Sequence, residues 1–124
     1  MNVPVRRAAV YWIPDEAVEL PPTTRTRRNM HARRPFLVCS NDERNTEDDW
    51  PIVQGFPLST AGHLRTEYDV KVAANECGLR DHSWVQVALL QPIAKTNLLD
   101  RIGQISANRM DEVVRNHLLY IGVI

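Results

Sequence analysis

Two arginines stand directly before a proline and an apolar run, in the stretch Arg33-Arg34-Pro35 followed by Phe36 to Cys39. Pro35 fixes its own φ and biases Arg34 toward an extended conformation. A short continuous apolar run is typical of a strand that is buried on both faces. We therefore expect Arg34 to be held at the rim of a rigid strand, where its guanidinium can bind a phosphate group.

The charge distribution favours a phosphate-binding surface near this motif. The net charge of the chain is zero, but residues 1–34 hold seven arginines against three carboxylates, a net of +4, and the other 90 residues carry −4. Arginine offers a planar fork of donors that matches a phosphate group. Two other interpretations stay open: the basic segment is a solvated loop that only keeps the protein soluble, or Arg34 is a surface residue that pairs with the acidic cluster at 42–49.

Length and composition predict one domain that spans residues 1–124. A chain of 124 residues with 44% hydrophobic content can bury one core but not two. No apolar run approaches the roughly 18 residues of a membrane span, and no signal peptide follows Arg6 and Arg7. Cys39 and Cys77 are too few for a disulfide framework and are expected to be reduced packing residues. We expect a cytoplasmic protein.

Hydrophobic periodicity predicts five strands and then one helix. The predicted strands are 9–13, 35–40, 51–58, 66–72 and 83–90. Helical spacing of apolar residues runs from Met110 to Ile121, with Ser106 as N-cap and Gly122 as the stop, and a shorter helical turn is possible at 98–100. Between the first two strands, residues 14–33 carry prolines and arginines without periodicity, which predicts a long mobile loop. This order favours a small antiparallel barrel closed by a helix.

Six short motifs in order along the chain resemble those of one protein family. They are Val10-Tyr11-Trp12, the stretch 33–45, Pro57-Leu58-Ser59-Thr60, the stretch 78–85, the stretch 95–103 and Met110-Asp111-Glu112-Val113. Each motif is weak alone, but their order and spacing cover most of residues 9–122. Together they resemble the MazF/PemK (Kid-like) toxins of bacterial type II toxin–antitoxin systems.

The resemblance implies a mainly β (α+β) fold, a small SH3-like antiparallel barrel with a C-terminal helix, that forms a homodimer. It also implies a metal-independent endoribonuclease, without cofactor, that cleaves single-stranded RNA at selected sequences. In that reaction the ribose 2′-hydroxyl attacks its own phosphorus and leaves a 2′,3′-cyclic phosphate and a 5′-hydroxyl. The implied partner is a cognate antitoxin whose acidic, disordered tail would lie in the RNA groove. The four histidines show no metal-ligand spacing.

Family roles carry over to individual residues of this chain. Arg34 is predicted to stabilise the charged phosphate, and Ser59 to donate a hydrogen bond to it. His31 is a candidate for proton transfer, although an exposed loop histidine and a turn-forming serine are the plain alternatives. The predicted RNA-binding residues are Arg33, Arg25, Arg27, Arg28 and Gln91. Replacing Arg34 by alanine is then expected to abolish cleavage and leave the fold intact.

Two stretches depart from the family pattern. Ala8-Ala9 stand where many members have a glycine and an acid, and Leu90 to Ala94 stand where many have an Asp/Glu-Gln-x-Arg-Thr run. The general acid and base are therefore unassigned. This leaves two alternatives open, a catalytically weak relative and a non-catalytic CcdB-like toxin of the same fold that poisons DNA gyrase.

Overall fold

The computed structural model describes residues 4–20, 32–60 and 65–124, which form seven strands and two α-helices. The strands are β1 (Ala9–Pro14), β2 (Arg33–Val38), β3 (Ile52–Ser59), β4 (Val70–Val72), β5 (Ser83–Val85), β6 (Gln91–Ala94) and β7 (Arg101–Gln104). The helices are α1 (Asp42–Asn45) and α2 (Ala107–Tyr120). Single 3₁₀ turns cover Asp15–Ala17, Val87–Leu89 and Lys95–Asn97.

Strand β3 connects two parts of one antiparallel sheet. The strand order is β4-β5-β3-β2-β1-β7, and β6 also pairs with β3. The first half of β3 pairs with β6 from Ile52 to Gly55, and its end pairs with β5 at Leu58 and Ser59. Because one long strand serves both partners, the sheet can curl, as a small barrel requires.

The central strands are buried on both faces, as their apolar runs predict. Phe36, Leu37 and Val38 are each completely buried. Leu37 belongs to the core beneath α2, whereas Phe36 and Val38 belong to a second core on the other face of the sheet. Met110 and Val113 of α2 close the first core.

The strand boundaries differ from prediction at β2 and beyond β3. Strand β2 begins two residues earlier than predicted, so Arg34 lies inside the strand and not at its rim. Of the predicted 66–72 strand only Val70–Val72 forms, because Thr66 and Asp69 bond to each other in a turn. The predicted 83–90 strand ends at Val85 and continues as a 3₁₀ turn.

Strands β6 and β7 and helix α1 were not predicted. β6 contains Pro92, a residue that is uncommon inside strands, and β7 has the sequence Arg-Ile-Gly-Gln, without alternation of apolar and polar residues. The short helical turn proposed at 98–100 is wrong, because the 3₁₀ turn ends at Asn97. The predicted loop 14–33 is shorter at both ends, because Pro14 belongs to β1 and Arg33 to β2. Residues 21–31 of that loop lie outside the described residues.

Helix α2 confirms the predicted terminal helix. The Ser106 side chain accepts a hydrogen bond from the Arg109 amide, and Gly122 follows the helix with a φ of +81°. Beyond the helix, Ile121, Val123 and Ile124 are exposed and do not pack on their own core. None of the helices in the described ranges is long and apolar enough to cross a membrane.

Candidate active site

The predicted residues Arg33, Arg34 and Ser59 line one cleft of about 550 Å³. The cleft lies where the end of β1, the start of β2 and the end of β3 meet the loop that precedes β5. Its lining is Trp12, Arg33, Arg34, Pro35, Leu58, Ser59, Thr60, Gly78, Leu79, Arg80, Asp81, Ser83 and Ile102. Guanidinium and hydroxyl groups are thus gathered at one place, as phosphate chemistry requires.

Arg34 is held by a buried carboxylate. Its Nε atom lies 2.8 Å from Oδ1 of Asp15, which is 1% exposed, and Arg34 itself is 8% exposed. Its Nη1 atom lies 3.5 Å from the carbonyl oxygen of Leu58. Arg34 therefore does not pair with the acidic 42–49 segment, and the surface-pair alternative is wrong. A buried guanidinium with a fixed partner is preoriented toward whatever enters the cleft.

The strand register explains why Arg34 and Ser59 meet. Phe36 lies opposite Pro57 in the antiparallel β2–β3 pair. Arg34 and Ser59 each lie two residues beyond this pair, at the same end of the two neighbouring strands. Residues opposite each other on antiparallel strands project from the same face. The two motifs that the sequence places 25 positions apart are thus brought together by one pairing of strands.

Arg33 is positioned by an aromatic ring. Its guanidinium carbon lies 4.2 Å from the centre of the Trp12 ring, and both residues line the cleft. Such a cation–π contact orients a cation at a partly exposed site. Arg33 is exposed where Arg34 is buried, so it can reach a second phosphate group beside the one at Arg34.

The loop from Gly78 to Asp81 contributes to the cleft and is fixed by its backbone. Gly78 has a φ of +91°, and a Cβ there would lie 2.6 Å from the carbonyl oxygen of Ile102. A Cβ on Gly103 would in turn collide with the carbonyl oxygen of Cys77. Two glycines therefore allow the loop to lie directly against β7, which presents Arg80 and Asp81 to the cleft.

Gln91 lies outside this cleft. Its side-chain amide accepts from the Glu19 amide at 2.8 Å and donates to the Leu89 carbonyl at 3.0 Å. It therefore fixes the chain just before residue 21, and its predicted role in RNA binding is untested. His31, Arg25, Arg27 and Arg28 lie outside the described residues. Within the part of the chain that the structure describes, no three His, Cys, Asp or Glu side chains are grouped so that they could hold a metal ion.

Sequence reasoning missed Asp15 and Arg80. Asp15 follows β1 directly, and the pairing of Ile13 with Arg34 across β1 and β2 brings it to the guanidinium. The sequence does show a carboxylate directly after the first predicted strand, in Pro14-Asp15. An aspartate at that place is equally typical of a turn, so it did not point to a functional role. Arg80 is 94% exposed at its side chain and belongs to a motif that was used only for family resemblance.

Family models and curated relatives both relate this chain to the same group of proteins. The model of a family described as "PemK-like, MazF-like toxin of type II toxin-antitoxin system" matches residues 6–119. The curated Endoribonuclease MazF2 of Mycobacterium bovis and Endoribonuclease MazF6 of Mycobacterium tuberculosis are each 28% identical over 111 residues, which are 90% of this chain and 91% of the relative.

Solved structures share the fold. MazF from Deinococcus radiodurans superposes with a TM-score of 0.71 at 16% identity, over 98% of this chain and 99% of that one. A mycobacterial endoribonuclease in complex with its cognate antitoxin gives 0.66 at 20% identity, over 98% and 96%. These structures confirm the predicted mainly antiparallel β fold with one C-terminal helix. The gyrase-poison alternative gains no support from them.

Proposed function

Because the chain belongs to the PemK-like, MazF-like toxin family of type II toxin–antitoxin systems, as the resemblance predicted, we propose that the Arg34 cleft cleaves single-stranded RNA. The observation that carries this proposal is the buried Arg34–Asp15 pair beside Ser59. Its Nε is bound to Asp15 and its Nη1 contacts the Leu58 carbonyl oxygen, so Nη2 and the second N–H of Nη1 are the donors that can meet a phosphate.

In the proposed reaction the ribose 2′-oxygen forms a bond to the adjacent phosphorus as the bond to the 5′-oxygen of the next nucleotide breaks. The products are a 2′,3′-cyclic phosphate and a 5′-hydroxyl, without a metal ion. Arg34 would stabilise the negative charge that develops on the phosphoryl oxygens, and Ser59 would donate a hydrogen bond to one of them. Arg33 would bind a flanking phosphate group.

Arg80 is our candidate for the second cation, which the sequence lacks in the stretch 90–94. It lines the cleft on the loop that Gly78 and Gly103 fix against β7.

The same loop carries Asp81, the one carboxylate among the described residues of the lining, which is our candidate to accept the 2′-proton. His31 is the other candidate for proton transfer. The Arg80 assignment has its own test. Removing the Arg80 charge should raise KM for RNA, and an unchanged KM would exclude it from the site.

The proposal is tested by incubating the protein with a long single-stranded RNA in EDTA. We expect fragments whose 5′ ends accept phosphate from polynucleotide kinase without prior phosphatase treatment, because the ends are hydroxyls. Intact RNA, or fragments with 5′-phosphates, would overturn the proposed reaction. Arrest of gyrase supercoiling with intact RNA would instead support the gyrase alternative.

We further propose a homodimer that acts in the cytoplasm and is neutralised by an antitoxin with an acidic tail. The exposed apolar residues at the C-terminus, Tyr120, Ile121, Val123 and Ile124, favour an interface there. Cys39 and Cys77 are both free, which suits a reducing compartment. Light scattering should give particles of twice the 14.2 kDa chain mass. Particles of the single chain mass would exclude the dimer.

An acidic antitoxin tail would compete with RNA for the arginines of the cleft. Relatives of this fold have been solved with an antitoxin bound. If an acidic peptide from the cognate antitoxin binds this protein without inhibiting cleavage, the proposed overlap of tail and RNA is wrong.

A further inference from the structure

A row of three side chains crosses the sheet, starting from Ser59. Ser59 lies opposite Trp84 in the β3–β5 pair, and Trp84 lies opposite Lys71 in the β4–β5 pair. Since opposite residues of antiparallel strands share a face, a serine, a tryptophan and a lysine follow one another on strands that lie about 4.8 Å apart. Trp84 and Lys71 are not part of the cleft lining, so the row leads away from the cleft.

The Trp84 ring is stacked against an arginine. The guanidinium carbon of Arg65 lies 3.5 Å from the ring centre, compared with 4.2 Å for Arg33 on Trp12 and 5.2 Å for Arg44 on Trp50. Trp84 is partly exposed, and Arg65 and Lys71 are exposed. Unpaired nucleobases stack on aromatic rings and on guanidinium planes, and here the exposed guanidinium covers one face of the indole and presents its own outer plane.

A buried carboxylate fixes the chain on both sides of this pair. Asp69 accepts hydrogen bonds from the Thr66 amide, next to Arg65, and from the Val87 amide, three residues after Trp84. Burial raises the pKa of Asp69, and these hydrogen bonds partly oppose that effect. The turn that carries Arg65 is thereby tied to the end of the strand that carries Trp84, so the stack is preorganised.

We propose that the Arg65–Trp84 pair is a stacking subsite for the nucleobase next to the scissile phosphate. Lys71 then binds the phosphate group on the far side of that base. The inference rests on the proposed function for the identity of the nucleic acid and for the position of the scissile bond at Arg34 and Ser59. It also assigns part of the sequence selectivity to a face of the sheet outside the cleft, because stacking strength differs among bases.

Two substitutions of Trp84 separate stacking from packing. Trp84→Phe keeps an aromatic face, whereas Trp84→Leu fills space without one. The matched control is Trp50→Leu, because Trp50 also lies beside an arginine and is 40% exposed, but belongs neither to the row nor to the cleft lining. Arg65→Ala removes the guanidinium plane from an exposed position and tests the pair even if Trp84→Leu does not fold.

The measurement is the fluorescence anisotropy of a labelled, short 2′-O-methyl RNA of mixed sequence, which cannot be cleaved because its 2′-oxygens carry no proton. We expect Trp84→Leu to weaken binding roughly tenfold or more. Arg65→Ala should weaken it less, and Trp84→Phe and Trp50→Leu should bind within a few-fold of the wild type. If Trp84→Leu (or Arg65→Ala, should the former not fold) binds as tightly as the wild type, or the wild type does not bind, the subsite does not exist.

Mapping the cut sites in a long RNA distinguishes this inference from the proposed function. If the wild type cleaves, Trp84→Leu should relax base preference at one position beside the cut, and an unchanged preference would overturn the subsite. If the wild type leaves RNA intact but its binding of the 2′-O-methyl probe depends on Trp84, the nuclease proposal fails and the stacking subsite stands.

Discussion

Two arginine–carboxylate pairs in this protein show how burial and the number of contacts separate a site from a scaffold. Arg34 and Asp15 have side chains that are 9% and 1% exposed, and Nε of Arg34 makes the one contact between them shorter than 3 Å. Arg109 of α2 binds Glu76 through two nitrogens, at 2.7 and 2.9 Å, and Glu112 through a third contact at 2.8 Å.

The two pairs differ in how many guanidinium nitrogens are bound to carboxylates. All three nitrogens of the Arg109 guanidinium bind protein carboxylates, so its role is to fasten α2 to the turn before the Gly78 loop. Arg34 lines a cleft and binds its carboxylate through Nε alone, while its Nη1 contacts the Leu58 carbonyl oxygen and Nη2 adds further donors. We therefore expect substitutions at the first pair to change catalysis, and those at the second to change stability alone.

Removing Arg34 should have the largest effect. Arg34→Ala should lower cleavage about 10²–10³-fold, because it removes the donors for the charged phosphorane. The structure adds a second cost, in folding free energy, because the substitution also breaks the buried ion pair between Arg34 and Asp15. This differs from the expectation, based on sequence alone, of an intact fold.

Arg34→Lys separates the two effects, since it keeps a positive charge near Asp15 but loses the fork. We expect the rate of RNA cleavage by Arg34→Lys to fall strongly. Its free energy of unfolding, measured in urea, should fall less. Arg109→Lys is the matched control and should cleave at nearly the wild-type rate. Equal loss of cleavage in both lysine variants would erase the distinction between the pairs.

Asp15→Asn should have an intermediate effect. The substitution keeps the size of the side chain but removes the charge that orients Arg34. We expect cleavage to fall roughly ten- to a hundredfold through misplacement of the guanidinium. The loss should appear mainly in kcat, because the substitution leaves unchanged the exposed Arg33, which is proposed to bind a flanking phosphate. A loss confined to KM would show that Asp15 does not position the reacting groups.

The apolar centre of this fold could be predicted from sequence, but the strands around it could not. Phe36 to Val38 read as a doubly buried strand because buried central strands are apolar throughout. Strand β6 contains Pro92, and β7 is formed by backbone pairing to β1 without an apolar pattern of its own. Such strands are specified by their neighbours, which a local pattern does not contain.

The same reason explains the site. Arg34 and Ser59 were found because each lies in a motif, whereas Asp15 was missed because its importance comes from the β1–β2 register, a contact across 19 positions of sequence. The Arg65–Trp84 stack is equally non-local, since it joins a turn to a strand.

Glu76→Gln should have the smallest effect and a distinctive pH dependence. The hydrogen bonds from Arg109 are the main reason that the pKa of Glu76 lies below its ordinary value of 4.5. A carboxyl group whose pKa is lower in the folded protein stabilises the fold fully above pH 4.5, and this contribution is lost as the pH falls through the folded value. The glutamine variant lacks the charge and should lack this dependence.

At neutral pH we expect Glu76→Gln to cost about 1 kcal/mol or less, a few degrees in Tm, because the pair is partly exposed. Melting curves of the two proteins should converge as the pH is lowered further and further below 4.5, while cleavage at pH 7 stays within twofold of the wild type. A gap in Tm that persists at low pH would mean that Glu76 stabilises by packing and not by charge. A loss of cleavage as large as that of Asp15→Asn would place the second pair in the catalytic site.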